Sequence, residues 1–345
     1  MPSAATPAPS PEELVAAATV VSLPMRVRFR GVLEREAVLL HGPLAWAEFA
    51  PFPEYADEEA ARWLAAAVEA GWAGWPEPVR DRVPVNATVP AVGPDRVGEV
   101  LARYDGCTTA KVKVAERGQE LADDMARVAE VRAVLGPAAR IRVDANGGWT
   151  PDQAREALTR LSAYGLEYAE QPCADVPGLA RLRRDLARDG VDVPVAADES
   201  IRRSEDPLRV AREGAADLVV VKVPPLGGVA AALRIVADCG LPAVVSSALD
   251  TSVGMAAGVA LAAALPALEH ACGLGTVELL ARDVATPSLV PVAGSISVAD
   301  ALQTVRGDLV PGLTAGGGGD LAAGPERRAW WLDRLARCAA LLPRA

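Results

Sequence analysis

Eight short runs rich in β-branched residues recur along this chain, beginning near residues 85, 110, 141, 166, 193, 218, 243 and 267. Successive starts lie 24 to 31 residues apart, the length that a strand, a turn and a helix need together. Amphipathic or Ala/Leu-rich helical segments lie between them. One announces its own start: Thr150-Pro151-Asp152-Gln153 is a capping box with proline at the first helical position, leading into a helix predicted over 154–164. Eight such units close a (β/α)8-type barrel. The rival arrangement, a doubly wound open sheet, normally stops at five or six strands and needs a Gly-rich first turn, which Val89–Asp95 does not supply. The eighth run is the least regular.

The barrel pattern occupies 84–287. Before it, the Pro/Ala/Ser-rich residues 1–13 read as loose, and they lack the charged and apolar regions of a signal peptide. Ala18–Pro24 and Val32–Leu40 read as antiparallel strands joined by Met-Arg-Val-Arg-Phe-Arg-Gly, with 45–49 as a third strand. Residues 55–72 have helical periodicity and an acidic first turn, Asp57, Glu58 and Glu59. Residues 1–83 therefore form a small α+β unit. After the barrel, a helix is predicted over 298–306, then the tract Gly316–Gly319, then a helix over 325–342 carrying Trp330 and Trp331. We expect 288–345 to fold back onto 1–83 as one discontinuous domain.

Of the 35 basic residues only three are lysines, Lys111, Lys113 and Lys222, and all three sit inside short apolar runs. An idle ammonium there is costly, whereas a desolvated lysine, unlike an arginine, is able to release its proton near neutral pH. Lys111 and Lys113 have strand spacing and face one side. Three successive strands then end in carboxylates: Asp144 in Arg-Val-Asp-Ala-Asn, Glu170 in Tyr-Ala-Glu-Gln-Pro and Asp198 in Ala-Ala-Asp-Glu-Ser. One βα unit separates each from the next, so all three converge above the barrel, where they repel one another unless a cation sits between them. Oxygen ligands on rigid strands suit Mg²⁺ and tolerate Mn²⁺. Asn146, two residues past Asp144, is placed to orient a ligand; Glu199 points the other way, toward a neighbouring lysine. Lys222 ends the next strand. A base on each flank of three carboxylates suits removal of a proton α to a substrate carboxylate.

Other chemistries are poorly supplied. Two histidines, His41 and His270, leave no material for a His-based metal cage or a Ser-His-Asp triad, and both read as structural. The five cysteines lack zinc-like spacing, and Cys107, Cys173 and Cys239, with no histidine partner in sight, read as core fillers. Gly227-Gly228 and Gly316–Gly319 are not followed by the Lys-Ser/Thr of a phosphate loop; the first pair reads as a sharp turn from strand to helix. A net charge of −10 without a basic block speaks against nucleic acid, and the Ala-rich runs are too short to span a membrane. The expectation is a cytoplasmic enzyme acting on a small anionic molecule, its oligomeric state left open.

Thr109-Ala-Lys-Val-Lys113, Asp144-Ala-Asn-Gly, Glu170-Gln-Pro, Asp198-Glu-Ser and Val221-Lys222 together resemble the enolase superfamily, in its muconate-lactonising branch, over nearly the whole chain. The resemblance implies a TIM-like (β/α)7β barrel with an α+β capping domain built from both termini. It implies Asp144, Glu170 and Asp198 as metal ligands, Lys113 as acid/base, Lys111 as its support and Lys222 as the lysine opposite. It likewise places Ser246 and Ser247, in the segment Val245–Ser252, and the backbone of Gly273 against the substrate, and Arg28, with Arg26 and Arg30, in the capping loop near it. The implied reaction is a syn dehydration of a succinylated cyclohexadiene carboxylate. Racemisation of N-succinylamino acids uses the same two lysines, so the catalytic residues alone do not choose. Glu269-His270-Ala271-Cys272-Gly273 stands where dipeptide epimerases carry Asp-x-Asp, which favours dehydration.

Overall fold

The computed structural model describes residues 9–29, 31–202, 206–314 and 316–343. It opens with a capping unit: strands β1 (Ala18–Phe29), β2 (Val32–His41) and β3 (Trp46–Phe49) form an antiparallel meander, followed by the helix Asp57–Val68. Residues 26–28, expected in a connection, belong to β1, which runs to Phe29 and still pairs there with Val32 of β2. Residues 11–13, expected loose, open the helix Pro11–Ala16. Its signal is in the sequence: Ser10 and Glu13 make a reciprocal capping box and proline opens the helix. The last helix, Pro325–Ala340, packs on this unit and buries Trp331, Leu335 and Cys338 beside Trp63, Phe49 and Leu14. Arg327 and the Trp331 indole donate to Glu36 of β2, and Arg337 reaches Asp57.

After β4 (Arg82–Pro84) come seven parallel strands in sequence order: β5 (Ala87–Val89), β6 (Thr109–Lys113), β7 (Arg140–Asp144), β8 (Leu166–Glu170), β9 (Val195–Ala197), β10 (Leu218–Val221) and β11 (Ala243–Val245). The eighth position is held by two residues. Cys272 bridges Val85 on one side, and Gly273 bridges Ser246 on the other. Backbone N–H groups of Asn86 and Ser247 donate to the carbonyls of Cys272 and Gly273, whose own N–H groups donate to Pro84 and Val245. The parallel sheet closes through that pair. A Cβ on Gly273 would lie 2.5 Å from Ser246 Oγ and 3.1 Å from Ser246 Cβ, so a larger residue there would have to displace the Ser246 side chain.

The Ala-rich helix Ser252–Ala264 is apolar on every face and nearly all of it is buried. Such a helix needs cover on its outer side as well as its inner one. The helix Val298–Arg306 supplies it, and β12 (Ser295–Ser297) pairs antiparallel with β4 at the base. Residues 295–306 thus pack on the barrel, whereas the final helix packs on the cap.

Cap and barrel also meet at a helix end. Glu69, just past the helix Asp57–Val68, accepts hydrogen bonds from the backbone N–H groups of Val229 (2.5 Å) and Ala230 (2.9 Å), capping the barrel helix Val229–Cys239 from outside. Gly228 precedes that helix at φ +129°, and a Cβ there would lie 2.6 Å from Glu69 Oε2. Glu69→Ala should therefore lower stability by about 1 kcal/mol, the usual worth of an N-cap. Gly228→Ala should cost more through clash and strain. The double variant should lose less than the sum, because removing the carboxylate relieves the clash. Urea titration of the four proteins measures this; additive losses would mean that the two residues do not compete for one space.

Candidate active site

Alternation along the barrel strands sends Lys111, Lys113, Arg142, Asp144, Tyr168 and Glu170 to the lumen, and register places Lys113, Asp144 and Glu170 side by side. Asp198, Lys222 and Ser246 each follow the last residue of β9, β10 and β11. All six strand ends bring functional groups to one mouth. Beneath them, Tyr168, Ala196, Leu218, Val220 and Val244 form a separate apolar cluster that fills the lumen.

The three carboxylates and three lysines are all buried and paired. Lys111 Nζ lies 2.9 Å and 3.1 Å from the two oxygens of Glu170 and 3.2 Å from Asp144 Oδ2. Lys113 Nζ lies 2.5 Å from Asp144 Oδ2 and 2.6 Å from Asn146 Oδ1. Lys222 Nζ is bonded to Asp198 Oδ2. Burial works to raise Asp144, but Lys113 and Lys111 outweigh it and hold the carboxyl far below its usual range. Burial likewise opposes Lys111's charge, yet Glu170 and Asp144 keep it firmly protonated. Burial lowers Lys222, with Asp198 pulling the other way. Glu170 is raised to about 7 by burial and by Asp144 and Asp198 beside it.

Glu170 is thus a buried carboxylate whose neighbours repel its charge, which is the electrostatic demand that a cation between the three acids would meet. The donors are all oxygen and come from rigid strands, so they fit a hard divalent cation. Among the described residues no three acidic, histidine or cysteine side chains already stand in coordinating geometry. Here the ammonium groups supply the positive charge instead.

Turns behind the strand ends brace these groups. Asn146 adopts a left-handed conformation, φ +47°, so that its own N–H reaches Asp144 Oδ1 at 3.1 Å. Gln171, also at positive φ, accepts from the N–H groups of Asp198 (2.9 Å) and Ser200 (3.2 Å), locking the Glu-Gln-Pro and Asp-Glu-Ser turns together. Glu199 does not meet a lysine as expected. It accepts from Asn146 Nδ2 at 3.2 Å and pairs with Arg202 at 2.6 Å, an arginine three residues on along the same helical turn.

A small cavity opens onto Lys111, Lys113, Asp144, Asn146 and Lys222. Its second wall is Ser246, Ser247, Gly273 and Thr276, where Ser247 Oγ lies 3.0 Å from the Gly273 carbonyl and 2.7 Å from Thr276 Oγ1. Arg28 does not line it. That residue is exposed, while Phe29, on the opposite face of β1, turns inward and places its ring 5.3 Å from Lys113 Nζ. Arg26 is exposed too, and Arg30 lies outside the described residues. Leu249, within the expected segment Val245–Ser252, lines the cavity too, and so do Phe52, Thr88 and Thr276, which were not anticipated. Thr88 was findable, since it lies on the first barrel strand at lumen register with Lys111. The two phenylalanines carry no sequence signal that separates them from core. His270 pairs with Glu167 at 2.9 Å below the site, in the structural role expected.

The family model described as enolase C-terminal domain-like matches residues 95–302, and that described as enolase N-terminal domain-like matches 20–71. The chain is 59% identical to an o-succinylbenzoate synthase of Thermobifida fusca over 277 residues, covering 80% of this chain and 86% of that one. It is 55% identical to the o-succinylbenzoate synthase of Mycolicibacterium smegmatis over 335 residues, with 97% and 98% covered. Among solved structures, the L-Ala-D/L-Glu epimerase of Bacillus subtilis superposes with a TM-score of 0.69 at 22% identity, covering 87% of this chain and 98% of the epimerase. A muconate lactonizing enzyme of Pseudomonas fluorescens gives 0.69 at 22% identity, with 91% and 97% covered. At such identity the likeness is one of fold.

The cavity wall formed by Ala248 and Leu249 is fixed by the cap. Arg35 Nε donates to the Leu249 carbonyl at 2.9 Å, holding that residue at φ +66°. Glu48 of β3 accepts from the Thr251 N–H at 3.0 Å and from its hydroxyl. Burial, and Asp250 beside it, push Glu48 up to about 8; burial raises Asp250 as well. A carboxyl raised on folding contributes stability that is present below its unfolded pKa and is lost as pH climbs through the folded value. Wild-type protein should therefore lose on the order of 1–3 kcal/mol between about pH 5 and about pH 9 that Glu48→Gln retains. Urea midpoints across that range measure it; parallel profiles would remove Glu48 as the titrating group.

Proposed function

The chain belongs to the o-succinylbenzoate synthase family within the enolase superfamily, and on that premise we propose how its residues carry out the syn dehydration of 2-succinyl-6-hydroxy-2,4-cyclohexadiene-1-carboxylate to 2-succinylbenzoate, a step of menaquinone biosynthesis. The observation that carries the assignment of roles is the placement of Lys113 and Lys222. They stand at the ends of β6 and β10, four positions apart in a barrel of eight, and so face each other across the three carboxylates.

Asp144, Glu170 and Asp198 would hold a divalent cation, Mg²⁺ with Mn²⁺ accepted in its place. When bound, that ion supplies positive charge to the substrate carboxylate and so acidifies the neighbouring C–H. Lys113 takes the α proton. Its ammonium is then on the face from which hydroxide leaves, and the same proton assists departure, which is what a syn elimination requires. Lys222, as ammonium, steadies the negative charge of the enediolate from the other face. Lys111 does not exchange protons; held charged between Glu170 and Asp144, it keeps these acids in place. Ser246, Ser247 and the Gly273 backbone receive the succinyl arm, and Phe29 and Phe52 cover the ring. The product aromatises, so the reaction runs downhill once the proton has gone. Five buried, unpaired cysteines support a reducing, cytoplasmic setting, and no helix among the described residues is long and apolar enough to cross a membrane.

The same opposed lysines support a second reading, racemisation of N-succinylamino acids, in which each takes or gives a proton from its own side. Loss of the cyclohexadiene absorbance, run beside deuterium exchange into N-succinylamino acids, separates the two. Dehydration is expected to dominate, to stop on chelation, and to stop with Asp144→Asn, Glu170→Gln or Asp198→Asn while the circular dichroism is kept. Lys113→Ala should lower kcat by about 10²–10⁴-fold. Lys222→Arg keeps the charge without the base, so dehydration should tolerate it better than exchange does. Rapid exchange by a wild-type protein that leaves the cyclohexadiene untouched would replace the synthase by the racemase.

A further inference from the structure

Arg202 closes the four-residue helix Glu199–Arg202 that follows Asp198, and it is 2% exposed. Its three nitrogens donate to three different partners. Nε reaches Asp198 Oδ1 at 3.1 Å, Nη2 reaches Glu199 Oε1 at 2.6 Å, and Nη1 reaches the Tyr55 hydroxyl of the cap at 2.9 Å. Each of the first two contacts continues toward a catalytic lysine. The other oxygen of Asp198 bonds Lys222. Glu199 Oε1 also accepts from Asn146, whose own oxygen accepts from Lys113 at 2.6 Å. Two chains of polar contacts, one from each lysine, therefore meet at a single guanidinium.

The third arm leaves the barrel. Tyr55 lies three residues beyond Phe52, which lines the cavity, and the Arg334 guanidinium of the last helix grips the carbonyls of both. The chain that walls the site is thus tied on one side to the last helix of the chain and on the other to Arg202. Only a planar fork makes three such bonds in fixed directions; an ammonium in this place keeps the charge but loses the geometry. The Asp198 side chain gains no other fixed donor from the described residues besides Lys222, whose own position the reaction uses.

We propose that Arg202 is a positioning residue, a latch that orients Asp198 and Glu199 and couples both to the seating of the cap through Tyr55. The proposal rests on the role of Asp198 as a cation ligand given above. Seating the cap then sets the third acid of the site and the cavity wall at Phe52 together, and loosening one loosens the other.

Mn²⁺ alone is the probe, titrated into chelator-treated full-length protein and followed by the electron paramagnetic resonance of the free and bound ion. Loss of an outer support of a ligand typically costs 10–100-fold in metal affinity, and Arg202→Lys should weaken Mn²⁺ binding by about that factor. Tyr55→Phe removes one hydroxyl and no packing, and should weaken it by about fivefold, the worth of one hydrogen bond. In the Arg202→Lys background, Tyr55→Phe should have no further effect, because its route to Asp198 is already cut. Melting curves establish that the variants are folded, and Tyr55→Phe serves where Arg202→Lys is not. Mn²⁺ affinities within twofold of wild type, or losses that multiply independently, overturn the latch. Coupled affinities in a protein that fails to dehydrate would keep the latch and remove the synthase assignment; dehydration with unchanged affinities would do the reverse.

Discussion

A carboxylate taken out of water must find compensation or lose its charge, and the mouth of this barrel contains three of them on neighbouring strands. The structure answers with three ammonium groups, each within bonding reach of an acid. Removing one member of a buried pair typically costs 3–5 kcal/mol, so neither set is dispensable while the other remains. The balance is still uneven. Asp144 is held far below its ordinary range while Glu170 is raised, although both touch Lys111, because Asp144 has Lys113 as well. One more positive charge placed near Glu170 would offset that asymmetry.

The lumen beneath is built to sustain this. Two residues below the mouth, β8 to β11 contribute Tyr168, Ala196, Val220 and Val244, an apolar floor that keeps water from the acids on that side. On the other side the same level holds Lys111 and Arg142. Lys111 reaches up to Glu170, and Arg142 turns down to Asn86, the Ala271 carbonyl and Glu167 while its guanidinium stacks 4.7 Å from the Tyr168 ring centroid. Two cations at one level thus serve different ends, Lys111 the pairing of the acids above and Arg142 the closure of the barrel beside its two-residue eighth position. Lys and Arg are not interchangeable in these posts: a fork suits three carbonyl and carboxylate partners, a point charge suits the gap between two acids.

What the sequence made legible follows from where signals are periodic. Strand spacing placed seven of the barrel strands and every acidic and lysine residue at the mouth, because a strand end is fixed once the strand is found. The eighth strand, read from near residue 267, shrinks to two bridged residues at Cys272 and Gly273, because so short a stretch has no alternation to fix its bounds. Residues 11–13 were misjudged by composition even though Ser10 and Glu13 carried a local capping signal. Arg28 was preferred to Phe29 because charge seemed the natural greeting for an anion; one step along an extended strand reverses the face, and the apolar neighbour is the one that looks inward. Glu199 was given a lysine partner on the same bias toward the few lysines, whereas a helical turn supplies Arg202 three residues on.

Most of what the sequence left unread at the site has one cause, and it lies in the cap. Apart from Thr88 and Thr276, which the barrel itself supplies, the unanticipated elements of the site belong to the contact between the two units or to the loops that contact fixes: Phe29 and Phe52 on the cavity wall, Arg35 on the Leu249 carbonyl, Glu48 on Thr251, Tyr55 on Arg202. A barrel strand determines its own end group locally, but a wall shared by two units is specified only when they meet, by polar groups more than a hundred residues apart in the chain. The barrel can therefore keep one set of buried acids and lysines while the cap reshapes the cavity above them, and the loops that wall the cavity are the same loops that hold the cap. Any change that improves the fit to a new substrate at Leu249 or Phe52 also disturbs the buried contacts of Arg35, Glu48 or Arg202. Selection of substrate and stability of the seam are one physical problem in this fold.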